Sequence, residues 1–140
     1  MNFGYSPEQE ALRSEVQTFI RDNVTDELVE EMDIHSGTDR PLGRGPWGQA
    51  LYRQIGERGW LGIAYPSEYG GQGGSRIDQY IVEEEVLRAG IQISMIGSGA
   101  PAILAAGTEE QKRYYIPRLI RGEVSFCLGF TEPHAGADLA

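Results

Sequence analysis

Ser6-Pro7-Glu8-Gln9, with Leu12, Val16, Phe19 and Ile20 behind it, decides how the chain folds. A serine before a proline at the first helical position, with glutamine three residues on, is a reciprocal cap that satisfies backbone donors at a helix start. The apolar residues then recur three and four apart, which predicts an amphipathic helix to about Asn23. Thr108 to Gln111 repeats the cap and predicts a helix ending near Arg121, with Gly122 just beyond. Ser75 caps a further helix, in which Ile77, Ile81, Val82, Val86 and Leu87 are expected inward and Glu83, Glu84 and Glu85 mainly outward. Between these, Thr25 or Asp26 opens a short acidic helix through Met32, and Pro46 opens one carrying Trp47, Leu51, Ile55 and Arg58 that Gly59 would end. Ser36 to Gly43 reads as a surface loop and Tyr65 to Gly74 as a Gly-rich connection. Ile91 to Ala106 is apolar nearly all round and predicts a buried helix. Ser125 to Thr131 is a short apolar run that fits a strand. The expected fold is all-α, an orthogonal bundle of about six helices, with a C-terminal strand that begins another unit.

The 140 residues carry a formal charge of −9, and residues 1–40 hold ten acidic against three basic side chains. The length suits one domain with a real core, burying about two thirds of its unfolded surface. So negative a surface argues against nucleic acid. The single cysteine, Cys127, allows no internal disulfide, and Met1 to Tyr5 lacks the regions of a signal peptide, so a reducing cytoplasm is the expected compartment. No apolar run approaches the roughly 18 to 20 residues of a membrane span.

Several motifs reduce to packing or turns. Gly43-Arg44-Gly45-Pro46-Trp47-Gly48 matches G-x-G-x-x-G but follows a polar loop, and Gly97 to Ala102 matches the variant ending in alanine but lacks an acidic residue about 20 positions on. Gly70-Gly71-Gln72-Gly73-Gly74 has no Lys-Ser or Lys-Thr after it, so it reads as a turn. Three consecutive carboxylates at 83–85 point about 100° apart on a helix and cannot converge on one ion. His35 has no partner at zinc-ligand spacing, and no catalytic or metal residue is assigned. Cys127, in an apolar strand, behaves as a small hydrophobe.

The most informative stretch lies at the end: Phe126-Cys127-Leu128-Gly129-Phe130-Thr131-Glu132-Pro133-His134-Ala135-Gly136-Ala137-Asp138. An apolar strand feeds a small-residue turn, which lets ligand atoms approach the main chain. This segment resembles the flavin-contacting motif of the acyl-CoA dehydrogenases. Gly59-Trp60-Leu61-Gly62-Ile63-Ala64-Tyr65-Pro66-Ser67-Glu68-Tyr69-Gly70-Gly71, then Gly107 to Lys112, Tyr115-Ile116-Pro117 and Gly122-Glu123, match the family in order. The resemblance covers essentially the whole chain but only part of the family's architecture. It implies an N-terminal helical domain at 1–122, with 123–140 starting a middle β-domain; the rest of that domain and a C-terminal four-helix domain would lie elsewhere.

The resemblance also implies FAD as cofactor, acyl-CoA as substrate and electron-transfer flavoprotein as acceptor, in a homotetramer or heterotetramer. Carried over, Leu128, Gly129, Phe130 and Thr131 would lie along the flavin, and Gly136 and Ala137 beside the pyrophosphate and the pantetheine arm. The family usually has serine at Ala137, so only main-chain contacts are expected there. Ser94, Met95 and Ser98, with Gly97 and Gly99, would close the base of the acyl pocket and leave room for a bulky or long chain. His134 stands where the family commonly has a small residue, and either sits exposed in the turn or reaches a ligand phosphate. So acidic a segment disfavours capture of a polyanion such as coenzyme A except through local arginines or other parts of the protein. The family's glutamate base lies beyond residue 140, so this chain alone is not expected to catalyse. An acyl-CoA oxidase, a flavin monooxygenase of the same superfamily, or a non-catalytic helical subunit of a heteromer are the alternatives.

Overall fold

The computed structural model describes residues 4–34, 45–91, 96–124, 126 and 133, with the backbone alone at 33, 34 and 96–98. Six α-helices follow in order: α1 (Pro7–Asn23), α2 (Asp26–Ile34), α3 (Pro46–Glu57), α4 (Arg76–Arg88), α5 (Ile96–Ala106) and α6 (Glu109–Ile120). Single 3-10 turns at Trp60–Gly62 and Ser67–Tyr69 interrupt the connection between α3 and α4. No strand occurs among the described residues; of the expected strand at 125–131 only Phe126 belongs to them.

Helix starts follow the local chemistry. Ser6 Oγ accepts from the Gln9 N–H at 3.3 Å while the Ser6 N–H donates to Gln9 Oε1 at 3.0 Å. Ser75 with Asp78, and Thr108 with Gln111, repeat this arrangement. The first two caps are tied together, since Gln9 Nε2 also donates to Asp78 Oδ1 at 3.0 Å and pins the start of α1 against the start of α4.

Burial closes the bundle around the 60–62 turn. Helix α1 lies along α4, α5 on α6 and α2 on α3, while Trp60–Gly62 touches α3, α4 and α6. Val16, Phe19, Leu28, Ile55, Trp60, Leu61, Val82, Ile116 and Leu119 belong to one core. At its centre Phe19 meets Trp60 edge to face, ring centroids 5.2 Å apart, and the Arg58 guanidinium lies 4.3 Å from the Phe19 centroid. In α3 Leu51 and Ile55 are buried, while Trp47, in the first turn, is 49 % exposed.

Two expectations for α4 and α5 need correcting. Glu85 is only 6 % exposed, whereas Ile77 and Leu87 are exposed. With successive residues about 100° apart, one member of the acidic triplet has to fall beside Ile81, Val82 and Val86, and the stripe covered by α1 is too narrow to take in Ile77 and Leu87. Buried charge needs partners. Arg13 Nε donates to Glu85 Oε1 at 2.7 Å, Gln17 Nε2 to Oε2 at 3.0 Å, and Arg88 stands 3.5 Å away. Ile91 lies outside the helix and residues 92–95 outside the described ones; from Ile96 on, α5 is not buried all round, since Pro101, Ala102, Ala105 and Ala106 are exposed. Alanine exposes so little apolar surface that packing one flank on α6 suffices.

Burial alone would raise the Glu85 pKa, but the Arg13 and Gln17 hydrogen bonds and the two arginine charges outweigh it and hold the carboxyl below its ordinary value. A depressed folded pKa contributes stability above the unfolded value and loses it as pH falls through the folded one. Glu85→Gln is therefore expected to lower the thermal midpoint near neutral pH. The gap to the wild type should close below the ordinary glutamate value of about 4.3. Midpoints measured across that range check this, and a gap independent of pH would deny the carboxylate its role.

Candidate functional site

Of the residues assigned to cofactor or substrate, Leu128, Gly129, Phe130, Thr131, Gly136, Ala137, Ser94 and Met95 lie outside the described residues, as do His35, Cys127 and His134. Ser98 falls in the first turn of α5. What the structure does fix is the anchor between these two sets. Phe126, two residues before the expected flavin contacts, packs onto Gly99 of α5 and lies 5.9 Å, centroid to centroid, from Tyr115 of α6. A Cβ on Gly99 would come within 2.9 Å of Phe126 Cβ and closer still to its ring. The absent side chain is thus the seat of the ring, on the helix that also holds Ser98 in its first turn.

Two of the three glycine motifs have their backbone donors taken by the protein itself. The α3 start, where G-x-G-x-x-G matched, receives the Glu31 carboxylate of α2: Oε2 accepts from the Trp47 N–H at 3.1 Å and Oε1 from the Gly48 N–H at 2.8 Å. An anion already sits on those donors. In the Gly-rich connection the N–H groups of Gly71, Gln72, Gly73 and Gly74 donate to the carbonyls of Pro66, Gly62, Tyr65 and Ile63, at 3.0, 3.0, 2.9 and 2.7 Å. A Cβ on Gly71 would overlap the Tyr65 carbonyl, so glycine is required by the fold-back itself. No cluster of three metal-ligating side chains occurs among the described residues.

A groove of about 620 Å³ opens between α4, α5 and the segment after the 60–62 turn. Leu61, Ala64, Leu104 and Ala105 give it apolar lining; Tyr65, Arg76, Tyr80 and Glu83 give it polar lining. Gln79 also lines it, its amide donating to the Trp60 carbonyl at 3.1 Å and accepting from the Ala64 N–H at 3.5 Å. Burial, then the Glu83 charge, raises the Tyr65 pKa, so the phenol stays a neutral donor. Glu83 keeps solvent on its outer side, yet burial pushes its carboxyl pKa up, partly offset by a hydrogen bond with Gln79. The sequence held a signal for this site in the spacing of Arg76, Gln79, Tyr80 and Glu83, one face of α4. An amphipathic reading assigns that polar face to solvent.

Comparison with known proteins gives this geometry its setting. Residues 6–123 match the acyl-CoA dehydrogenase N-terminal domain. The chain is 40% identical, over 100% of its own length and 35% of the relative's, to Acyl-CoA dehydrogenase FadE26 of Mycobacterium tuberculosis. It is similar to the ChsE4-ChsE5 complex from the same organism (38% identity, TM-score 0.78, 99% of this chain and 34% of that one). A steroid acyl-CoA dehydrogenase, Tcur3481-Tcur3483, gives 32% identity and a TM-score of 0.77 over 99% of this chain and 35% of that one. An acyl-CoA dehydrogenase complexed with FAD from Bacillus anthracis gives 31% and 0.78 over 96% of this chain and 22% of that one. The chain therefore spans about a third of the length of the curated relative it matches.

Proposed function

The chain belongs to the acyl-CoA dehydrogenase family as its N-terminal domain, and we propose that it serves a FAD-dependent enzyme that oxidises acyl-CoA to the 2,3-enoyl-CoA. The observation that carries the reading is the 40% identity to an acyl-CoA dehydrogenase along the whole chain. A relative whose structure holds FAD supports the cofactor, and the seat of Phe126 on Gly99 fits it, because the flavin residues continue directly from that anchor. When bound, FAD would supply the hydride acceptor.

The chain's own task is to hold and align. Leu128, Gly129, Phe130 and the Thr131 hydroxyl would lie along the flavin, with main-chain groups of Gly136 and Ala137 near the pyrophosphate and pantetheine. Ser94, Met95 and Ser98 would shape the acyl pocket. Alignment of the acyl chain against the ring is where such a scaffold contributes to rate. Among the described carboxylates, Glu31, Asp78, Glu85 and Glu109 are engaged in caps, ion pairs or a tyrosine contact. None is assigned the role of base.

Small residues on α5 suit a bulky acyl group, and the similarity to a steroid acyl-CoA dehydrogenase supports that choice. Similarity to a two-component complex favours assembly with a second, related chain, as a heterotetramer. Electron-transfer flavoprotein is the proposed acceptor. The full-length protein, alone and with a co-expressed homologue, is expected to bind FAD and form enoyl-CoA. Ser98→Leu should lower kcat/KM for bulky acyl groups by roughly tenfold while sparing short ones, since overfilling a packed site costs about 1–3 kcal/mol. Absence of enoyl-CoA with every acyl-CoA tried would sink the reading; a uniform loss in Ser98→Leu would return α5 to a packing role.

A further inference from the structure

Resting on that reading, we propose that Tyr115 of α6 is a positioning residue for the flavin, acting through Phe126: its ring closes the notch in which Phe126 sits and so fixes where the segment assigned to the flavin begins. Phe126 has two neighbours of different kinds. Gly99 gives it an opening in α5 that a Cβ would fill, and Tyr115 meets it from α6, ring centroids 5.9 Å apart and planes tilted by 56°. Helices α5 and α6 pack on each other, so the ring stands at the crease between them with one wall from each. An absent Cβ makes room but supplies little attraction. The offset pair with Tyr115 is the one ring contact that Phe126 makes among the described residues, and such pairs attract beyond the area they bury.

Tyr115 is itself held in place. Tyr114 meets it edge to face at 4.9 Å, the Arg118 guanidinium lies 4.0 Å from the Tyr114 centroid, and Arg118 Nη1 donates to the Tyr114 carbonyl at 2.6 Å. The row Arg118, Tyr114, Tyr115, Phe126 thus runs over α6 to the anchor on α5. Neither tyrosine belongs to the core: Tyr115 is 38 % exposed, Tyr114 more so, and the Tyr115 hydroxyl makes no hydrogen bond among the described residues. Burial therefore gives little reason for a ring at position 115, whereas contact with Phe126 gives one. Two residues of chain separate Phe126 from Leu128, a reach of at most about 7 Å. That is too short to absorb a displaced start, and a small misplacement of the reacting groups is costly to rate.

The test uses the full-length protein, with its partner subunit if one is needed, and titrates FAD into the wild type, Tyr115→Ala, Tyr115→Phe, Phe126→Leu and the double variant Tyr115→Ala with Phe126→Leu. Tyr115→Ala should raise the Kd for FAD by about three- to tenfold, the range one aromatic pair supplies. It should also lower kcat per bound flavin while the KM for acyl-CoA stays near the wild-type value, a split that a loss of folded protein would not give. Tyr115→Phe keeps the ring and should match the wild type. In the Phe126→Leu background, where the ring pair is already gone, Tyr115→Ala should change the Kd by less than about twofold, since non-additivity marks residues that act through one another. A wild-type Kd and kcat in Tyr115→Ala, equal losses in the two backgrounds, or a loss in Tyr115→Phe as large as in Tyr115→Ala would each overturn the proposal. A wild type that holds FAD but oxidises no acyl-CoA removes the dehydrogenase reading alone, because the Kd comparison needs no turnover. A wild type that holds no FAD removes both.

Discussion

Trp60→Ala is expected to destabilise the domain by about 3–5 kcal/mol, the usual cost of deleting a buried aromatic side chain. Trp60 is 3 % exposed, meets Phe19 edge to face and stands in the turn that touches three helices. Its loss leaves a cavity beside Phe19 of α1 in a turn held between α3, α4 and α6, so collapse into the void is restricted. For a domain of this size the shift in thermal midpoint should be about 10 °C or more. Trp47→Ala is the matched control: at 49 % exposure it should stay within about 0.5 kcal/mol of the wild type. Equal effects from the two tryptophans in a denaturant melt would contradict the placement of the core.

The contrast between these residues shows where sequence reasoning stops. The starts of α1, α4 and α6 were legible because a cap is a local contract among four residues, and Gly59 and Gly122 ended helices at positive φ as their positions suggested. Other features depended on residues far away in the chain. Glu85 is buried only because Arg13 and Gln17 arrive from α1, and the start of α3 is capped by Glu31 from α2 in place of its own N-cap side chain. Apolar character misjudged α5, since a helix of glycines and alanines can lie open to water at little cost. The family was legible in the runs at 59–71 and 107–123, inside the stretch that matches its N-terminal domain, while the flavin contacts expected at 128–137 lie outside the described residues. The groove was not legible, because its polar face on α4 looks like any solvated stripe until α5 is laid beside it.

Gly99→Val is expected to disable the site from the anchor outward. A valine in mid-helix is ordinarily tolerated, and Gly→Ala at such a position stabilises by about 1 kcal/mol through helix propensity. At Gly99 the added carbons meet the Phe126 ring, which has Tyr115 on another side, so either α5 moves or Phe126 leaves its seat. Overpacking of this kind costs about 1–3 kcal/mol, and displacing Phe126 would disturb the start of the segment proposed to lie along the flavin. The full-length variant should therefore lose most of its FAD on gel filtration, measured as flavin absorbance per protein, together with a lowered thermal midpoint. Ala102→Val, at an exposed position of the same helix, loses helix propensity, which Gly99→Val does not, and should still keep its flavin. Gly99→Ala sets the sign: propensity alone would make it more stable than the wild type, and the Phe126 contact makes it less so. A stabilised Gly99→Ala with full FAD occupancy would show that Phe126 is not seated on α5 in the working enzyme, and the link between the two halves of the site would fall.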